Sequence, residues 1–114
     1  DCRGSTSIRE TASLLANSKF YFGGEGFLMH LARAVDTPSV IVYGGRIRPD
    51  QIGYSANENL YNEVPCAPCW QNNHCDFERR CLTEIGIEEV WEAIQRVQKR
   101  VGQPLAVETV GRRL

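Results

Sequence analysis

The chain has 114 residues, 42% of them hydrophobic, which is enough for one domain with a real core and too little for several. Thirteen basic against fourteen acidic residues leave a net charge of −1, so there is no electrostatic footprint for nucleic acid or an anionic membrane surface. No apolar run approaches the roughly eighteen residues of a membrane span, and no leader is visible.

Ten glycines and five prolines point to an α/β protein with many turns rather than a helical bundle. The chain opens on a turn-like Asp1-Cys2-Arg3-Gly4, which reads as a piece cut from a longer protein. Ser7 and Glu10 match a capping box, so a helix is expected from Ser7, with Ile8, Thr11, Ala12, Leu14 and Leu15 on its apolar face and Asn17-Ser18 at its end. Lys19-Phe20-Tyr21-Phe22 then reads as a short buried strand running into Gly23-Gly24. A second helix is expected from Gly26 to Val35, broken by Asp36-Thr37-Pro38. Ser39-Val40-Ile41-Val42-Tyr43 is a continuous β-branched run, the pattern of a parallel strand covered on both faces, and it too ends in a glycine pair, Gly44-Gly45. Residues 46–58 read as loop, residues 59–64 as a further short strand. Ile87, Val90, Trp91, Ile94, Val97 and Val101 trace an amphipathic helix ending at Gly102. One domain over residues 1–102, with a cysteine-rich loop at 65–82, is expected to precede a tail, 103–114, that is partly ordered at best.

Helices alternating with strands through short connections argue for a Rossmann-like parallel sheet flanked by helices, and ligands in such sheets sit at the carboxyl ends of the strands. Both glycine pairs lie there. In residues 23–34 three glycines allow a sharp turn and close approach to bare backbone, while the free N–H groups and positive dipole end of the next helix favour an anion. Glu25 and His30 are the ionisable side chains of that turn and the first helical turns. The competing reading is a tight strand-to-helix connection whose glycines serve geometry alone.

Gly4-Ser5-Thr6-Ser7-Ile8-Arg9-Glu10 resembles the G-K-T-S-L-R-E helix opening of glycosyltransferase family 9, the lipopolysaccharide heptosyltransferase-like enzymes. Residues 22–34 resemble that family's G-x-D-S-G-x-M-H-L-A-A-A signature, and residues 36–44 its G-T-P-x-V-x-L-F-G strand. The resemblance covers most of the chain and points to the carboxyl-terminal domain. One departure stands out, since the usual D-S-G is Glu25-Gly26-Phe27 here, with a longer acid and a side chain at the third position.

The resemblance implies the C-terminal half of a GT-B fold and a glycosyltransferase that moves a sugar from a nucleotide diphosphate sugar to a lipopolysaccharide-type, glycan or glycolipid acceptor. By carry-over, the amides of Gly26, Phe27 and Leu28 would hold the diphosphate, Glu25 would accept from sugar hydroxyls, and His30 would add a donor to the phosphate, the competing role of His30 being a half-buried histidine bonded to a neighbouring backbone group. Thr6 is a candidate for phosphate or ribose, though capping its own helix is the competing role, and Gly44 and Gly45 would shape the crevice floor. The catalytic base would stand on an amino-terminal domain outside these residues, so this chain alone is expected to be inactive and to hold no catalytic residue. No cofactor is required for such transfer, and the expected location is cytoplasmic, with at most peripheral association with an inner membrane.

Cys66, Cys69, Cys75 and Cys81, with His74 beside the third, have spacings compatible with one tetrahedral zinc, with two disulfides, or with free thiols. The resemblance implies a structural staple before the last helix rather than chemistry, with Trp70 and Phe77 packing over it. Cys2 has no visible partner. A rival reading makes the chain a small metal-stapled interaction module whose glycine turns are architectural. A thiol redox pair of Cys66 and Cys69 is weaker, because they lie far from any helix start that would favour a thiolate.

Overall fold

The computed structural model describes residues 1–102, so the expectation for the tail lies outside the described residues. Three parallel strands, β1 (Tyr21–Gly24), β2 (Ser39–Tyr43) and β3 (Glu58–Tyr61), lie side by side in sequence order. Tyr21 stands opposite Ser39 and Gly24 opposite Val42, while Val40 faces Glu58 and Tyr43 faces Tyr61. The α/β class and the parallel sheet flanked by helices are as the alternating pattern implied.

Helix α1 (Ile8–Ala16) starts at Ser7, whose hydroxyl accepts from the Glu10 amide while the Glu10 carboxylate accepts from the Ser7 amide. Helix α2 (Phe27–Ala34) ends where Asp36 turns left-handed at φ 58° and the Thr37 amide closes on the Ala32 carbonyl at 2.8 Å. The two helices cover one face of the sheet, where Ala12, Leu15, Ala16, Ala32 and Val35 form an apolar cluster with Tyr21 and Leu31 against it. Small residues at 12, 16 and 32 permit this close approach.

Helix α5 (Ile87–Val101) covers the other face, packing Ala93 and Val97 on Val40 and Leu60. Side chains alternate along β2, so Val40 meets α5 while Ile41 and Tyr43 turn to the opposite side and pack with Met29. Only part of the expected α5 stripe is buried. Val97 is fully buried, Val90 and Ile94 are partly so, and Ile87, Trp91 and Val101 stay exposed, because a sheet of three strands is too narrow to cover the helix. On the opposite flank of α5, Arg96 and Arg100 reach Glu58 of β3 at 3.1 Å each.

Three local expectations are corrected. The first strand runs two residues later than the aromatic run suggested, because pairing with β2 extends through both glycines. Residues 46–58 are not simply loop but contain α3 (Pro49–Ile52), one turn with Pro49 at its first position and Gln51 returning a hydrogen bond to the Arg48 amide at 2.9 Å. A second single turn, α4 (Arg80–Thr83), closes the cysteine-rich loop. Helices of four residues are too short to show a period, which is why the sequence pattern passes over them.

Candidate functional site at the end of β1

Strand β1 runs out at Gly24, and the Glu25 amide still donates to the Val42 carbonyl of β2 at 3.3 Å. The chain then turns at Gly26, with φ 139° and ψ −158°, a conformation open to glycine and strained for any L side chain. Helix α2 begins at the next residue. The first intrahelical bond that reaches back is from the His30 amide to the Gly26 carbonyl at 3.3 Å, and no side chain caps the helix.

Helix α1 starts differently. There Ser7 and Glu10 satisfy the helix start from within, whereas the N–H groups at the start of α2 are left to solvent or a ligand. Phe27 and Leu28 are exposed around this opening, and Met29 points inward to full burial. The helix start therefore offers converging amide donors at the carboxyl end of the sheet, a geometry suited to an oxyanion. Glu25, half-buried, and His30, exposed, flank it on either side in sequence.

Beneath the turn lies a polar stack. The Tyr43 hydroxyl at the end of β2 is 3.1 Å from Asn59 Oδ1 and 3.2 Å from Met29 Sδ; the carboxamide oxygen is the stronger acceptor for its single proton. Burial, then the nearby Glu25 carboxylate and Tyr54, push the Tyr43 phenol up to about 12. His30 Nδ1 is 2.7 Å from the hydroxyl of Tyr54, a residue that sequence reasoning left inside an undifferentiated loop. One signal could have found it: in a parallel sheet the loops after β1 and β2 open on the same edge, so polar aromatics of the second loop are candidates to meet the first.

The remaining sequence candidates are distributed more widely. Thr6 shares its hydroxyl with Thr11 of α1 at 2.9 Å. Gly44 and Gly45 make room for the cysteine-rich loop: a side chain at Gly44 would meet Leu82, one at Gly45 would press on Cys81 and Ala67, and the Gly45 carbonyl accepts from the Cys69 amide at 2.9 Å. Arg48, the loop arginine that follows these glycines, is no free cation for a ligand either, being paired with Asp50 and Glu63.

The cysteines are not gathered as a metal site would require. Among the described residues no three His, Cys, Asp or Glu side chains come together to hold an ion, and Cys2, Cys66, Cys69, Cys75 and Cys81 are all unpaired. Cys75 Sγ instead accepts from the Phe77 and Arg79 amides at 3.4 Å each. Trp70 and Phe77, expected to pack over the loop, remain half-exposed.

A cleft lined by Lys19, Arg33, Asn57 and Arg100 opens at the opposite, amino end of the strands. Two of its cations are already paired, Arg33 with Asp36 and Arg100 with Glu58, and it holds no helix start. The uncapped α2 junction is the better candidate for an anion.

No described helix is long and apolar enough to cross a membrane. No curated protein and no solved structure matches the chain. The family model for glycosyltransferase family 9 (heptosyltransferase) matches residues 2–79, a span that contains α1, the whole sheet, the Gly26 junction and the Tyr54 loop. The chain belongs to glycosyltransferase family 9.

Proposed function

We propose that these residues are the donor-binding half of a GT-B glycosyltransferase, one domain over residues 1–102 that holds a nucleoside diphosphate sugar at the α2 junction. The observation that carries this reading is the uncapped start of α2 at Gly26, set at the carboxyl end of a parallel sheet between Glu25 and His30. Amides of Gly26, Phe27 and Leu28 take the diphosphate, where fixed N–H dipoles also stabilise the charge that grows on the leaving group. The Glu25 carboxylate accepts hydroxyls of the sugar, a division of labour in which the acid avoids the anion and the amides avoid the polyol. His30 adds a side-chain donor to the phosphate.

Sugar transfer also needs a base that removes the acceptor's proton opposite the departing diphosphate. In this reading the base and the glycan or glycolipid acceptor belong to a facing domain, so the isolated 114-residue chain binds donor but transfers nothing. Replacing the usual D-S-G by Glu25-Gly26-Phe27 lengthens the acid by one methylene and moves glycine to the centre, where φ 139° demands it.

Calorimetric titration with UDP, ADP and GDP tests the reading. Binding of at least one is expected, weakened in His30→Ala with the diphosphate alone and in Glu25→Ala with the corresponding sugar nucleotide, both variants remaining folded. Absence of binding by all three, or binding untouched by both substitutions, sinks it.

A further inference from the structure

We propose that Tyr54 is the positioning residue of the α2 junction: its hydroxyl donates to His30 Nδ1, so that the neutral ring carries its proton on Nε2 and turns an N–H donor toward the bound diphosphate. This rests on the donor-site reading above and goes one step past it, from which residues meet the ligand to what sets their protonation geometry.

Tyr54 is held as a positioning group should be. Its hydroxyl stands 2.7 Å from Nδ1, and the two rings meet edge to face at 85° with centroids 5.6 Å apart. The backbone before it is seated against the core, because Gly53 lies so close to the Tyr43 hydroxyl and the Pro49 carbonyl that a side chain there would collide with both. Asn59 of β3 locks the segment from the other side. Its Nδ2 donates to the Tyr54 carbonyl at 2.9 Å, and its Oδ1 faces the Tyr43 hydroxyl at 3.1 Å. Tyr43 of β2, Asn59 of β3, the Tyr54 backbone and His30 of α2 thus form one connected polar path.

A neutral imidazole has one N–H and one bare nitrogen, and the partner of one nitrogen decides the other. Were Nδ1 the protonated nitrogen, Nε2 would present a lone pair to an anion and repel it. With the phenol donating to Nδ1, His30 is a donor in its neutral form and needs no proton from solvent to serve the site. His30 itself is exposed on α2 and nothing on its own helix fixes the ring, so the restraint must come from Tyr54.

Imidazole nitrogen NMR on the 114-residue chain reads the tautomer directly, and needs no nucleotide. The chain has two histidines, and His74, paired with Asp76 at 2.7 Å, is an internal reference assigned through His74→Gln. At mildly alkaline pH the parent is expected to show a protonated Nε2 and a hydrogen-bonded, bare Nδ1 on His30. In Tyr54→Phe the His30 Nδ1 signal moves to that of an unbonded nitrogen while His74 stays put and the melting temperature is little changed.

Inorganic pyrophosphate, which carries no base or sugar, then tests the consequence. Tyr54→Phe and His30→Ala are each expected to weaken it by roughly tenfold, the scale of one hydrogen bond to a charged group, and the double variant to be no weaker than His30→Ala. A protonated Nδ1 in the parent, a His30 signal indifferent to Tyr54→Phe, or additive losses overturn the role of Tyr54 while leaving the donor site standing. Failure of the parent to bind either pyrophosphate or any nucleoside diphosphate overturns both.

Discussion

Gly26 is where the fold and the candidate site depend on the same backbone geometry, and Gly26→Ala separates the two demands. An added Cβ would meet nothing within 4 Å, so sterics at the site predict no penalty. The cost is entirely in φ 139° and ψ −158°, a region nearly closed to L residues, and holding alanine there is worth about 1–3 kcal/mol of strain. Alanine also narrows the unfolded ensemble, which returns about 0.4–1 kcal/mol. Taking the middle of each range, the net loss is about 1.3 kcal/mol, or roughly 5–10 °C in melting temperature for a domain near this size. Gly24→Ala is the control, since its added Cβ would only touch the Val42 carbonyl at 3.9 Å and its backbone is ordinary strand. Urea unfolding of both variants, read as a change in midpoint at constant slope, checks the difference. If the Gly26→Ala backbone relaxes instead, the amides of residues 26–28 swing away and nucleoside diphosphate binding falls with stability. Gly26→Ala as stable as the parent, or Gly24→Ala equally damaged, would refute the claim that this turn demands glycine for its dihedral rather than for space.

Other perturbations follow from the packing and the charges. Ile41 is fully buried between β1 and β3, so Ile41→Ala should cost about 2–5 kcal/mol, whereas Trp91→Ala, on a side chain 56% exposed, should cost under about 1 kcal/mol despite the larger deletion; equal losses in denaturant melts would contradict the layer assignment. Tyr43 keeps its proton to about 12, so the folded state binds that proton more tightly than the unfolded one. Its contribution is complete below pH ~10 and falls by about 2–3 kcal/mol as pH rises toward 12. Stability measured against pH should drop less steeply there in Tyr43→Phe, with a residual slope from Tyr21 and Tyr61, whose phenols burial also pushes up; an unchanged slope would show that Tyr43 is not the group responsible. Five unpaired cysteines predict five thiols in unreduced, denatured protein, and a lower count would reveal a disulfide that the structure lacks.

Much of the fold was legible because its signals are local. Ser7 and Glu10 announce α1 through a box of four residues, and Val40, Ile41 and Val42 announce a strand buried on both faces by carrying three successive β-branched side chains. What escaped depends on contacts distant in sequence. The start of β1 is set by pairing of Tyr21 with Ser39 rather than by its own aromatic run. The exposure of Ile87 and Trp91 follows from the width of the sheet, which no helical period records. At the site, residues 23–30 were readable as a turn into a helix, but the partner of His30 lies 24 residues away, beyond a single-turn helix too short to have a period. The cysteine spacings were compatible with several chemistries, since spacing fixes reach and not which thiols meet.

Backbone amide NMR during titration with UDP, ADP or GDP reads residue by residue whether the bare start of α2 binds the diphosphate of a nucleotide sugar. The amides of Gly26, Phe27 and Leu28 are expected to move together and saturably for at least one of the three, with His30 and Tyr54 following. Saturable movement confined to Lys19, Asn57 and Arg100 at the opposite end of the strands, or no movement at residues 26–28 with any of them, would contradict that binding.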